Sequence, residues 1–172
     1  MNFRIESISD VTREDFYKLA LEYLPYSDYE KVKKREAEYH QAYRVVLLDE
    51  KAIGVAFGWP RRLDVPEDES FLLDGICIQE PFQKNGYGSL LLQAVERACK
   101  LYGCSSVSLG SAGGYVEHYY IKNGYMPMCY KFYRGQSIIV EKEYTSMIDY
   151  ETYQRKNKDG FVVMAKNVSR IK

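Results

Sequence analysis

One amphipathic segment constrains this chain more than any other. Over residues 89–102, Leu91, Ala94, Val95, Ala98 and Tyr102 recur at helical spacing, with Ser89, Gln93, Glu96, Arg97 and Lys100 opposite. The pattern predicts a helix with one buried stripe, and Gly103 sits where a helix stops. Before it, Phe71–Ile78 is apolar on both faces and suits a buried central strand. Asp74 and Gly75 interrupt that strand, and a glycine there marks a bulge or a close backbone approach. Strand and helix are joined by a polar loop, residues 79–88, that contains Gly86 and Gly88.

A strand, a glycine loop and a helix start together suit an anion. The first N–H groups of a helix have no intrahelical partner and carry about half a positive charge. Glycines let backbone approach a ligand, so residues 83–89 could cradle a phosphate or diphosphate. An ordinary connection whose glycines only make a turn fits the composition as well. The loop is not a P-loop, because no Gly-Lys-Ser/Thr ends it. It lacks the third glycine of the dinucleotide fingerprint, since Gly88 is followed by Ser89, Leu90 and Leu91.

The remaining pattern reads as one mixed α/β domain over residues 1–172. Strands are expected at residues 3–8, 42–48, 52–59, 105–109, 125–133, 137–144 and 160–168. Helices are expected near 12–24, 28–40 and 115–122, with capping boxes starting at Thr12 and Ser27. Residues 144–159 stay undefined apart from a helical stretch around 147–155. Lysine plus arginine and aspartate plus glutamate each number 24, so nothing draws the chain to nucleic acid. No apolar run approaches the roughly 20 residues of a membrane span. The four cysteines, Cys77, Cys99, Cys104 and Cys129, have no paired spacing and the histidines are only two. No metal site is therefore expected, and a reduced, cytoplasmic protein is the simplest reading.

Gln83-x-x-Gly86-x-Gly88 between strand and helix resembles the acyl-coenzyme A signature of the GNAT N-acetyltransferase superfamily. Tyr119-Tyr120-Ile121-Lys122-Asn123-Gly124-Tyr125 resembles the family's aromatic-Tyr-x-x-x-Gly-aromatic segment, and residues 160–166 its closing strand. The resemblance is good over residues 42–133 and looser outside them. It implies a mostly antiparallel six- to seven-stranded sheet, splayed between strands 4 and 5, with helices on both faces. It implies acetyl-coenzyme A as cofactor, and an amine of a small molecule or peptide as acceptor. The diphosphate would lie on Gln83, Lys84, Asn85, Gly86, Tyr87, Gly88 and Ser89, and the pantetheine arm along Ile76, Cys77 and Ile78. Relatives often dimerise, so a homodimer is compatible. One departure is that Gly113 and Val116 stand where many members have Asn-x-x-Ala.

The resemblance makes Tyr120 the general acid, and a phenol suits protonation of a leaving thiolate. Asp74 is the candidate base, because an acid in a buried strand must be paired or poised; a hydrogen-bonded structural aspartate is the competing reading. Glu117 and His118 are alternatives more simply explained by a solvated helix face, and water could also serve as the base. Cys77 and Cys129 read as structural thiols rather than nucleophiles. Asp64, Glu67, Asp68 and Glu69 could draw in a cationic amine, and Tyr23, Tyr26 and Tyr29 could line its pocket. A non-catalytic acyl-coenzyme A sensor and a mononucleotide-binding protein are the rival readings.

Overall fold

Runs rich in valine, isoleucine and aromatics extend, and helical stripes coil, much as the periodicity requires. The computed structural model describes residues 1–111 and 113–170. Residue contacts divide the chain into two units. The first holds Met1–Val107 and the residues from Val168 on; the second is Ser108–Asn167. Eight strands and five α-helices lie among the described residues, a mixed α/β fold paired mostly antiparallel. The resemblance implied six or seven strands; the eight present each overlap a stretch read as extended from the sequence.

The first unit contains β1 (Phe3–Ser7), α1 (Arg13–Tyr23), α2 (Tyr29–Tyr39), β2 (Arg44–Leu48), β3 (Lys51–Pro60), β4 (Phe71–Ile78) and α3 (Tyr87–Leu101). Its strands run in spatial order β1-β2-β3-β4, each antiparallel to the next. Every residue of β3 after Lys51 is buried. Phe57 from β3, Phe16 from α1 and Tyr43 form an aromatic centre with ring centroids 5.8–5.9 Å apart. Val55, Leu47 and Val32 surround it at no more than 2% exposure.

Two helix starts differ from expectation. Thr12 does not cap α1; its hydroxyl oxygen instead accepts the Ser9 N–H at 3.1 Å. Asp28, rather than Ser27, caps α2 and accepts the Lys31 N–H at 3.2 Å. In α3 the apolar stripe is buried as its spacing predicts, but Glu96, placed by periodicity on the polar face, is buried too, at 1% exposure.

The interruption in β4 is a bulge. Phe57 pairs with Gly75 and Gly58 with Leu73, which leaves Asp74 as the extra residue. Gly75 is required by close approach: a Cβ there would lie 2.5 Å from the Phe57 ring and 2.8 Å from Leu24.

β5 (Ser106–Ser111) leads from the first unit into the second, which holds α4 (Gly114–Lys122), β6 (Met126–Arg134), β7 (Ser137–Glu143), α5 (Met147–Thr152) and β8 (Gly160–Asn167). Strand β6 lies between β8 and β7, antiparallel to both. Tyr130, Phe132, Val162 and Met164 form its buried side. The stretch the sequence left undefined contains α5, capped by Ser146, whose hydroxyl accepts the Asp149 N–H.

Candidate active site

The loop after β4 folds on itself through its own polar groups. A tight turn over Glu80–Phe82 starts it, with Pro81 inside. The Gln83 side chain donates to the Ile78 carbonyl at 2.9 Å, tying the loop to the end of β4. The Asn85 amide donates to the carbonyls of Phe82 and Gln83 at 3.2 and 3.0 Å. Lys84 (φ 62°) and Gly86 (φ 84°) are both left-handed. Glycine adopts this conformation freely; lysine does so at a cost, so the surrounding bonds hold the turn.

Gly86 is the N-cap of α3 and supplies no side-chain acceptor. The first intrahelical bond is that of the Leu90 N–H to the Gly86 carbonyl. The N–H groups of Tyr87, Gly88 and Ser89 therefore have no helical acceptor, and no side chain caps them. Nothing lies within 4 Å of a Cβ placed on Gly86, so the space beside that residue is open. The Gln83 N–H differs, since it already donates to the Glu80 carbonyl. Tyr87 stacks on Phe3 of β1, with centroids 5.0 Å apart. These residues fit a diphosphate: three convergent donors, a positive helix end and exposed Lys84 and Asn85. Among the described residues no group of three His, Cys, Asp or Glu could hold a metal.

Asp74, the bulged residue, sits under the junction of α1 and α2. Burial raises its carboxyl above the usual aspartate range, partly offset by nearby Ser27 and by the charges of Lys31 and Arg35. Its Oδ2 is enclosed and accepts no hydrogen bond among the described residues. Burial pushes the Cys77 thiol up to about 11, so it is a thiol rather than a thiolate at neutral pH. Burial also raises Cys129. Of the tyrosines named from sequence, Tyr29 donates to the carbonyls of Ala20 and Leu24 and ties down the end of α1, while Tyr26 is fully exposed. The acidic loop is largely occupied: Asp64 is held by Arg35 and Lys31, which take it down to about 2, and Asp68 faces Arg61 at 2.9 Å.

In the second unit, Tyr120 lies on α4 at 7% exposure, and burial raises its phenol. Its ring stands edge-on to Tyr119 and Tyr125, at 5.1 and 5.7 Å. Glu117, one turn earlier, is not on a solvated face: it is 3% exposed. Arg155 donates to both its oxygens, at 3.0 and 2.6 Å, and the Tyr150 hydroxyl donates as well. His118 is exposed. Phe3, Tyr150 and Arg155 carry no signal in the sequence, because each acts across a long chain separation that no local pattern marks.

The profile of the Acetyltransferase (GNAT) family matches residues 5–125, and the chain belongs to that family. Its acyl donor is acetyl-coenzyme A. No curated protein sequence matches the chain. Its fold is similar to that of Ard1 from Thermoplasma volcanium, at 16% identity and TM-score 0.66, covering 97% of this chain and 98% of that one. An acetyltransferase from Bacillus subtilis, solved with CoA, aligns at 19% identity and TM-score 0.62, covering 96% and 99%. Arabidopsis thaliana Naa50, solved with the bisubstrate analogue CoA-Ac-MVNAL, aligns at 14% identity and TM-score 0.64, covering 97% and 99%. No described helix is long and apolar enough to cross a membrane.

Proposed function

We propose that this chain moves an acetyl group from acetyl-coenzyme A directly to a primary amine of a small molecule or a peptide, residues 1–172 acting as one catalytic domain. The observation that carries this reading is the set of three uncapped amides behind left-handed Gly86 at the start of α3. The peptide-bearing analogue in the Arabidopsis relative supports an amine on a peptide as one acceptor class.

When bound, acetyl-coenzyme A supplies a thioester whose acyl carbon is open to attack by a neutral amine. The amides of Tyr87, Gly88 and Ser89 hold the diphosphate, with Lys84, Asn85 and Gly86 lining the turn. Gln83 positions that turn through its bond to Ile78. Backbone of Ile76, Cys77 and Ile78 aligns the pantetheine arm, and the Ile78 N–H polarises the acyl oxygen. Asp74 accepts the proton of the incoming ammonium. Its raised pKa brings it nearer the operating pH, which favours general-base work. Tyr120 donates to the departing thiolate; its raised pKa keeps it protonated throughout the working range. Cys77 and Cys129 stay outside the reaction as neutral thiols.

The test is thiol release from acetyl-coenzyme A against a panel of small amines and peptides with free α-amino groups, run beside thermal stabilisation by coenzyme A. Amine-dependent release together with stabilisation is expected. Stabilisation with no release from any amine assigns a sensor instead, and stabilisation by ATP or NAD alone removes the acetyltransferase reading.

A further inference from the structure

The stretch from Tyr144 to Gly160 has no role in the reaction as drawn, yet it makes some of the most constrained contacts in the second unit. Arg155 lies 4.8 Å over the Tyr130 ring while donating both arms of its guanidinium to Glu117. The Tyr130 hydroxyl donates to the Asn157 carbonyl and accepts the Gly160 N–H. Glu141 accepts the backbone N–H groups of Lys156 and Asn157. Tyr150 adds its hydroxyl to Glu117 and its ring to Tyr144, 5.3 Å away. A surface segment is thus anchored at several points so that one arginine and one phenol reach one buried carboxylate.

That carboxylate sits where helix rotation is decided. α4 has only nine residues; its N-cap is Gly113 (φ 90°) and its first residue Gly114 (φ 57°), with no side-chain cap. A short helix with a glycine entry has little of its own to fix its angle about its axis. Glu117 and Tyr120 are three residues apart and share a face. A bidentate guanidinium fixes direction as well as distance, which a single bond or a lysine does not.

We infer that Arg155 and Tyr150 are positioning residues for the acetyl transfer: they clamp Glu117 and so set the angle at which α4 presents the Tyr120 hydroxyl. The inference rests on the reading of Tyr120 as proton donor. Neither residue touches substrate in this role. Loosening the clamp lowers the rate of the chemical step and leaves acetyl-coenzyme A binding as it was, because the diphosphate is held by α3.

The experiment is a double-mutant cycle on kcat and on KM for acetyl-coenzyme A. Arg155→Met in the parent should lower kcat about 10-fold, the scale expected for a displaced catalytic group, with KM unchanged. In a Tyr120→Phe background the same change should lower kcat by less than about 2-fold, since there is no donor left to misplace. Arg155→Lys should restore less than half of the loss. Tyr150→Phe, which keeps the charge pair, gives the same signature in smaller size should Arg155→Met fail to fold. An additive loss in the Tyr120→Phe background overturns the clamp while leaving Tyr120 as donor. An undiminished kcat in Tyr120→Phe alone overturns the donor and the clamp with it.

Discussion

The start of α3 and the middle of α4 solve opposite problems. At α3, backbone donors are left without partners: an N-cap with no side chain, three amides and open space beside Gly86. At α4, a carboxylate buried to 3% exposure is saturated by Arg155 and Tyr150. Unpaired donors on a surface cost little while water serves them, and they gain a partner when an anion arrives. A buried charge has no such option and must be paired within the protein. The first arrangement is therefore suited to binding something from outside, the second to holding a helix still.

Substitutions at the two places should separate accordingly. The largest effect is expected from Glu117→Ala, which leaves Arg155 without its partner and should destabilise folding by about 3–5 kcal/mol. Denaturant melts check this, and a loss below about 1 kcal/mol would mean that the pair is merely decorative. Next, Tyr120→Phe should lower kcat by about 10²-fold with the cofactor's Kd nearly unchanged. Gly86→Glu should weaken coenzyme A by roughly 10-fold or more. It forces a side chain into a φ of 84° and sets a negative charge among the amides. Its effect on Tm should be far smaller than that of Glu117→Ala.

Two carboxylates of the first unit sharpen the contrast through pH. Burial raises Asp74, so the folded protein holds its proton more tightly than the unfolded chain does, and stability falls as pH rises above the unfolded aspartate range. Asp74→Asn should therefore gain stability relative to the parent at pH 7 compared with pH 3, and lose the acidic limb of kcat/KM. A parallel pH dependence of the two melts would remove Asp74 as a strained acid. Asp64 has the opposite sign: Arg35 takes it down to about 2, so its contribution is present above the ordinary range and vanishes as pH falls from about 4 through about 2. Because the aspartate is partly solvated, Asp64→Asn should cost only about 0.5–1 kcal/mol at pH 7.

Much of the first unit was legible from the chain because its signals are local. The spacing of Leu91, Ala94, Val95 and Ala98 gave α3, and Asp74-Gly75 inside an apolar run gave the bulge. Gly86 marked the turn, whereas Gly88, read as part of the loop, lies in the first turn of α3, and the left-handed Lys84 carried no sign of itself. Near misses were of one kind. Thr12 and Ser27 have capping chemistry, but Ser9 and Asp28 compete for the same local bonds. The clamp on α4 was not legible. Glu117 and Arg155 are 38 residues apart, and nothing in either neighbourhood announces the other. Periodicity had put Glu96 on an outer face for the same reason, since helical spacing does not see what a neighbouring element brings against it.

Calorimetric titration with coenzyme A and, separately, with pantetheine, which lacks the diphosphate and the adenine nucleotide beyond it, in the parent and in Gly86→Glu, addresses the amides of α3 most directly. Coenzyme A should bind at least about 10²-fold more tightly than pantetheine, a difference of roughly 2.7 kcal/mol. Gly86→Glu should erase most of that difference. Equal affinities for the two ligands in the parent protein would mean that the open helix start grips no diphosphate.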